Sequence, residues 1–150
     1  MIKILFVCHG NICRSTMAES VMTHLLSQRG LSDQLQVASA ATSREEIGNP
    51  PHHGTRRKLR EVGIPVVPHR AVQMTRKDYE EYDYLIGMDD WNIRNMQRIT
   101  GGDPEHKLYK LLEFADSTRD IADPWYTGNF DATYNDIMEG CEGFLDKLSM

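Results

Sequence analysis

The apolar residues of this chain fall into two rhythms, a short dense one and a longer one with helical spacing. Residues 2 to 7 (Ile-Lys-Ile-Leu-Phe-Val) are rich in strand formers and stop at His9-Gly10-Asn11, which predicts a first strand. From Ser15 to Gln28, Met17, Val21, Leu25 and Leu26 share one helical face, and Gly30 supplies a stop. Leu35 to Ser39 predicts a second strand. The polar stretch from Ser43 to Gly54, with Gly48-Asn49-Pro50-Pro51, is a loop before a basic helix from about Thr55 to Val62. Tyr84 to Met88 predicts a third strand, with Asp89 or Asp90 capping a helix through about Arg98, and Lys107 to Leu112 a fourth strand. Phe130, Tyr134, Ile137, Met138, Cys141, Phe144, Leu145 and Leu148 form the stripe of an amphipathic helix that should cover the sheet. Strands alternating with helices predict an α/β three-layer fold with a four-stranded parallel sheet flanked by helices, joined by right-handed crossovers. Ligands bind such sheets beyond the carboxyl ends of the strands, and that edge holds the loop after strand one.

Composition narrows the picture without changing it. At 150 residues the chain has the size of one domain, spanning 1–150. Apolar residues make up 40% and charged residues 26%, a globular composition, and no stretch is long and apolar enough to span a bilayer. The N-terminus reads as a strand rather than a signal peptide, so a cytoplasmic, soluble protein is expected. A net charge of -5 argues against nucleic acid as a partner and makes any anion site a local one. Cys8, Cys13 and Cys141 cannot all pair, which favours reactive or buried thiols over a disulfide framework.

The candidate chemistry lies in Cys8-His9-Gly10-Asn11-Ile12-Cys13-Arg14-Ser15. A short loop between a strand and a helix N-terminus turns several backbone N–H groups one way, and such a nest binds oxyanions. Gly10 and Asn11 tolerate the backbone angles that a tight wrap requires. A cysteine at its base, near the positive helix end and an arginine, is favoured as thiolate, hence as nucleophile. Arg14 can return as a planar fork on two phosphoryl oxygens, which lysine could not do. A buried cysteine beside a capping loop is the plainer alternative. Asp123, before Pro124, Trp125 and Tyr126, is a candidate proton donor, although Asp-Pro by itself is only a turn signal.

Val7-Cys8-His9-Gly10-Asn11-Ile12-Cys13-Arg14-Ser15 resembles the phosphate-binding loop of the low-molecular-weight protein tyrosine phosphatases. The resemblance continues through Ser39-Ala40-Ala41-Thr42, His69-Arg70-Ala71, Asp83-Tyr84, Met88-Asp89 and Asp123-Pro124-Trp125-Tyr126. It implies hydrolysis of phosphotyrosine monoesters in protein or peptide substrates, with inorganic phosphate as product. Cys8 would be the nucleophile, Arg14 the phosphate clamp and Asp123 the general acid, then base, around a phosphocysteine intermediate. No metal or organic cofactor is implied. Ser15 resembles the hydroxyl that hydrogen-bonds the thiolate, and Asn11, Ser39 and His69 the polar set that shapes the loop. Ile12, Trp125 and Tyr126 would wall the pocket, and oxidation could join Cys13 to Cys8. Without the resemblance, His69 reads as a surface or satisfied histidine. Cys141, Met17, Met22 and Met138 read as core, and Arg56-Arg57-Lys58-Leu59-Arg60 as a solvated helix face.

Several positions depart from the family pattern. Thr16 replaces a usual proline, Ala41 a common glycine and Val72 a common arginine. Glu45 falls near a rim position that many members fill with an aromatic residue, so the rim here is acidic. Related activities on the same fold are protein arginine phosphatase, whose members carry threonine where this chain has Ile12, and thioredoxin-coupled arsenate reductase, which needs further cysteines near strand three. A catalytically silent phosphopeptide-binding module is the alternative from another class.

Overall fold

The computed structural model describes residues 1–149. The strands Ile2–Cys8 (β1), Leu35–Ala41 (β2), Tyr84–Gly87 (β3) and Leu108–Lys110 (β4) form one parallel sheet in the order β2-β1-β3-β4. Helices Arg14–Gln28 (α1), His53–Glu61 (α2) and Phe130–Lys147 (α6) cover one face, and Arg76–Glu81 (α3) and Asp90–Thr100 (α4) the other. A single turn, Pro124–Thr127 (α5), precedes α6.

The alternation along β1 explains both layers. Ile4, Phe6 and Cys8 point into a core shared with Met17, Val21, Met22 and Leu25 of α1 and Ile137, Cys141, Phe144 and Leu145 of α6. Leu5 and Val7 point the other way, among Met74, Tyr79, Leu85, Met96 and Leu108. Each such side chain contributes roughly 1.5–3 kcal/mol by leaving water, so the central strand is fixed in register from both sides. The chain leaves β1 toward β2 on one side and β3 on the other. The end of β1 is therefore the topological switch point, and the loop Cys8 to Ser15 lies in that crevice.

The sequence-based elements hold, with three local differences. The fourth strand is shorter than Lys107 to Leu112, because Leu111 and Leu112 are both buried in one core cluster. Adjacent side chains of a strand cannot do that, and these two belong to a 3-10 helix, Leu111–Ala115. That helix seats closely on α6 where Gly143 has no side chain. A Cβ there would lie 2.3 Å from the Phe114 carbonyl oxygen. Helix α3 is mostly charged and carries no apolar period to read, and the Asp78 carboxylate accepts the Thr75 N–H at 2.8 Å to start it. Helix α5 is a single turn begun by Asp123, whose Oδ1 accepts the Trp125 N–H at 3.0 Å.

Candidate active site

The loop after β1 is tight because Asn11 adopts left-handed backbone angles, with φ 58°. Gly10 does not need positive φ; it lets the loop pass close under Glu46, whose Cγ would lie 3.4 Å from a Cβ at this position. The Cys8 Sγ, at the base of the loop, accepts the Asn11 N–H at 3.3 Å and lies 3.0 Å from the Ser15 hydroxyl. The N–H groups of Gly10, Ile12 and Cys13 make no hydrogen bond to any described residue. They rim the same loop, just before the N-terminus of α1, which is the arrangement that binds oxyanions.

Hydrogen-bond directions behind the loop follow from one amide. The Val72 N–H reaches Asn11 Oδ1 at 3.2 Å, which fixes that atom as the oxygen. His69 Nε2, 2.6 Å from Oδ1, must then carry its proton and donate. The Asn11 amide nitrogen donates to Ser15 Oγ at 2.8 Å and to Ser39 Oγ at 3.0 Å. The Ser39 hydroxyl donates to Glu19 Oε1 at 2.6 Å. Ser15, having accepted from Asn11, keeps its hydroxyl proton for Cys8. Asn11, Ser15, Ser39 and His69 are thus brought together in one hydrogen-bonded set. Glu19 was missed, because a glutamate on a helix usually reads as solvent-facing. It lies one turn beyond Ser15 on the same buried side, a spacing that could have found it. Burial raises the Glu19 carboxyl above its ordinary range, and burial holds His69 below its ordinary value. Thr16, at the usual proline position, donates its hydroxyl to the Ile12 carbonyl at 3.0 Å.

Arg14 lies almost wholly beneath the surface. Its Nη1 donates to Asp89 Oδ2 at 2.7 Å and to the Ile121 carbonyl at 2.9 Å, and its Nη2 approaches Asp123 Oδ2 at 3.4 Å. Its Nε is buried and has no partner among the described residues. A buried guanidinium N–H without an acceptor is costly, and an incoming oxyanion could supply one. Asp89 is a second residue whose part was not foreseen. One carboxylate oxygen caps α4 through the Asn92 N–H at 2.7 Å while the other holds Arg14.

The cavity in front of the loop measures about 110 Å³ and is lined by Cys8, His9, Gly10, Ile12, Cys13, Glu45, Glu46, Asp123, Trp125 and Tyr126. Ile12, Trp125 and Tyr126 are among these lining residues. Trp125 is steadied by the edge of His52 at 5.6 Å, and His52 stacks on Phe130 at 5.4 Å. The rim carries two carboxylates: Glu45 pairs with His9, whereas Glu46 has no cationic partner among the described residues and accepts from Asn49. The two cysteines of the loop are chemically unequal. Burial, with the charges of Cys8 and Asp123 adding, pushes the Cys13 thiol up to about 12, so it stays protonated at neutral pH. Cys141 is wholly buried in the core. Leu59 points inward while Arg56, Arg57 and Arg60 are exposed and Lys58 pairs with Asp131 at 2.8 Å.

The fold and the site together define a parallel α/β protein with a thiol seated in an oxyanion loop, facing a carboxyl group across a small cavity. Comparison with known proteins agrees. The family described as low molecular weight phosphotyrosine protein phosphatase matches residues 3–150. The low molecular weight protein-tyrosine-phosphatase YfkJ of Bacillus subtilis is 40% identical over 150 residues, covering 99% of this chain and 96% of its own length. The crystal structure of YfkJ superimposes with a TM-score of 0.95 over 99% of this chain and 95% of that one. The corresponding Staphylococcus epidermidis protein PtpA is 39% identical over 149 residues, covering 99% of this chain and 94% of its own. SP-PTP, a low molecular weight protein tyrosine phosphatase from Streptococcus pyogenes, is 39% identical with a TM-score of 0.88, covering 99% and 93%. This chain belongs to the low molecular weight protein tyrosine phosphatase family and is an enzyme of the cysteine-based phosphatase class. Among the described residues no helix is long and apolar enough to cross a membrane.

Proposed function

We propose that the protein, acting as one domain in the cytoplasm, hydrolyses phosphotyrosine in protein or peptide substrates with Cys8, Arg14 and Asp123 as its reacting set. The observation that carries this reading is one small cavity lined by both Cys8 and Asp123, with Arg14 Nη2 3.4 Å from the Asp123 carboxylate and the buried Arg14 Nε without a partner among the described residues. In the first step the Cys8 thiolate attacks phosphorus, forming a P–S bond as the P–O bond to the tyrosyl oxygen breaks. Protonated Asp123 gives its proton to that oxygen. Arg14 and the loop N–H groups hold the three phosphoryl oxygens, and the Ser15 hydroxyl and Asn11 N–H stabilise the sulfur anion. In the second step water attacks the phosphocysteine, Asp123 takes its proton, the P–S bond breaks and inorganic phosphate leaves with the thiolate restored. The balance closes without metal or organic cofactor, and neither nucleic acid nor membrane is needed as a partner.

Ile12, in the cavity wall, and the aromatic rings of Trp125 and Tyr126 support a flat aromatic substrate over phosphoarginine. Cys13 fits a protective part: a Cys8 sulfenic acid formed by peroxide would condense with the Cys13 thiol, releasing water and giving a disulfide. Phosphate release from matched phosphotyrosyl, phosphoseryl and phosphoarginyl peptides, under reducing conditions with a chelator, tests the main reading. Fast turnover of the phosphotyrosyl peptide, abolished in Cys8→Ala, is expected. Turnover confined to phosphoarginine, or binding without turnover, would overturn it.

A further inference from the structure

The segment that delivers Asp123 has neither helix nor strand from Asp116 to Asp123, so its placement rests on a few backbone bonds and on side chains. We propose that Lys110, outside the cavity, is the residue that positions this segment for proton transfer; this rests on Asp123 being the general acid. Lysine is among the residues least often buried, yet Lys110 is only 8% exposed at the end of β4. Its ammonium has three protons and meets three acceptors: the Thr118 carbonyl at 2.6 Å, Asp120 Oδ1 at 2.9 Å and Asp90 Oδ1 at 3.0 Å. Burial alone would lower its pKa, but the hydrogen bonds to Asp120 and Asp90 and the charges of these two carboxylates together outweigh burial and raise it, keeping the group charged.

The contacts join the two halves of the site. Asp120 Oδ1 also accepts the Asp90 N–H at 3.1 Å, so Thr118 to Asp120 are drawn against the first turn of α4. That turn begins at Asp89, which holds Arg14. Ile121 is pinned from both sides, its N–H to the Met88 carbonyl at 2.9 Å and its carbonyl to Arg14 at 2.9 Å. One anchored residue still allows the chain on either side to pivot. Lys110 supplies a buried anchor on the N-terminal side of Ile121, while the Thr133 hydroxyl donates to the Ala122 carbonyl at 3.3 Å on the other, and together these anchors fix the direction from which Asp123 enters the cavity. An exposed ion pair would matter little. Here the ammonium is buried and one of its acceptors is a backbone carbonyl.

The test separates proton delivery from general stability. Dinitrophenolate leaves without help, whereas phenolate needs a proton, so the loss of a positioned acid appears only with phenyl phosphate. We would measure kcat/KM on both esters for wild type, Asp123→Asn, Lys110→Met and the double variant. Lys110→Met should lose about tenfold on phenyl phosphate and less than about twofold on dinitrophenyl phosphate. Added to Asp123→Asn, it should cost nothing further on phenyl phosphate. If Lys110→Met does not fold, Asp120→Asn at the exposed end should show the same pattern at about threefold. A uniform or absent loss beside a steep leaving-group dependence in Asp123→Asn overturns this inference alone. A flat profile in Asp123→Asn itself overturns the acid assignment, and this inference with it.

Discussion

The Cys8 loop and the Asp123 segment face each other across one cavity and are held by different physics. The loop is fixed from behind by a closed set of hydrogen bonds among buried groups, from Glu19 through Ser39 and Asn11 to Ser15 and Cys8. The Asp123 segment is tied at its flanks by ion pairs such as Lys110 with Asp120 and Arg119 with Asp136, and it ends in aromatic residues largely open to solvent. A nucleophile loop must keep unpaired N–H groups in place without substrate, which requires an over-determined backbone. A group that gives and takes protons with incoming and leaving molecules can be fastened more loosely. Arg14 belongs to both regions, bonded to Asp89 and to the Ile121 carbonyl, and so couples them.

The largest effect that would break the comparison is at this shared residue. Arg14→Lys should lower kcat by about 10²- to 10³-fold, because lysine cannot present a fork to the phosphoryl oxygens and to Asp89 together. Steady-state kinetics on a phosphotyrosyl peptide would show it, and a loss below threefold would remove Arg14 from the clamp.

Next come paired variants on either side of the cavity. Asn11→Ala leaves at φ 58° a residue without the short polar side chain that lets asparagine tolerate left-handed angles, and orphans the Val72 N–H and His69. It should cost about 2 kcal/mol or more in denaturant unfolding and at least about tenfold in kcat/KM. Trp125→Ala, at a side chain 56% exposed, should change stability by less than about 0.5 kcal/mol while raising KM. Equal destabilisation by the two would erase the distinction between an over-determined loop and a loosely fastened wall.

The smallest expected effect is a pH slope. Burial holds His69 below its ordinary 6.5 in the folded protein, so between 6.5 and that lowered value the unfolded chain binds more protons. Stability from this group is therefore full above 6.5 and falls as the pH drops through that window. Glu19, raised by burial, acts in the opposite sense nearer the carboxylate range. The difference in unfolding free energy between wild type and His69→Asn, followed from pH 7 downward, isolates the histidine, and a pH-independent difference would contradict the buried neutral ring.

Much of this was legible in the sequence because it is local. The alternation of Ile4, Phe6 and Cys8 against Leu5 and Val7 sets a buried central strand, and the loop that follows it carries its own chemistry within eight residues. Asp123 was found through the resemblance at Asp-Pro, not through any local signal for acidity. What stayed hidden depends on distant partners. Asp89 was readable as a helix cap but not as the partner of Arg14, which lies 75 residues away in the chain. Glu19, Lys110 and His52 look like ordinary surface residues until the fold surrounds them. Leu111 and Leu112 read as strand in the sequence because apolar runs of that length do not distinguish a strand end from a tight helical turn.

The account stands on a covalent intermediate at one sulfur. Asp123→Ala, mixed with dinitrophenyl phosphate and quenched rapidly in acid, should form the intermediate unaided but hydrolyse it slowly, for want of the base in the second step. Peptide mass spectrometry should then find one phosphoryl group, on Cys8, and none in the Cys8→Ala background. Burst-free turnover with an unmodified Cys8, or a phosphoryl group on any other side chain, would contradict it.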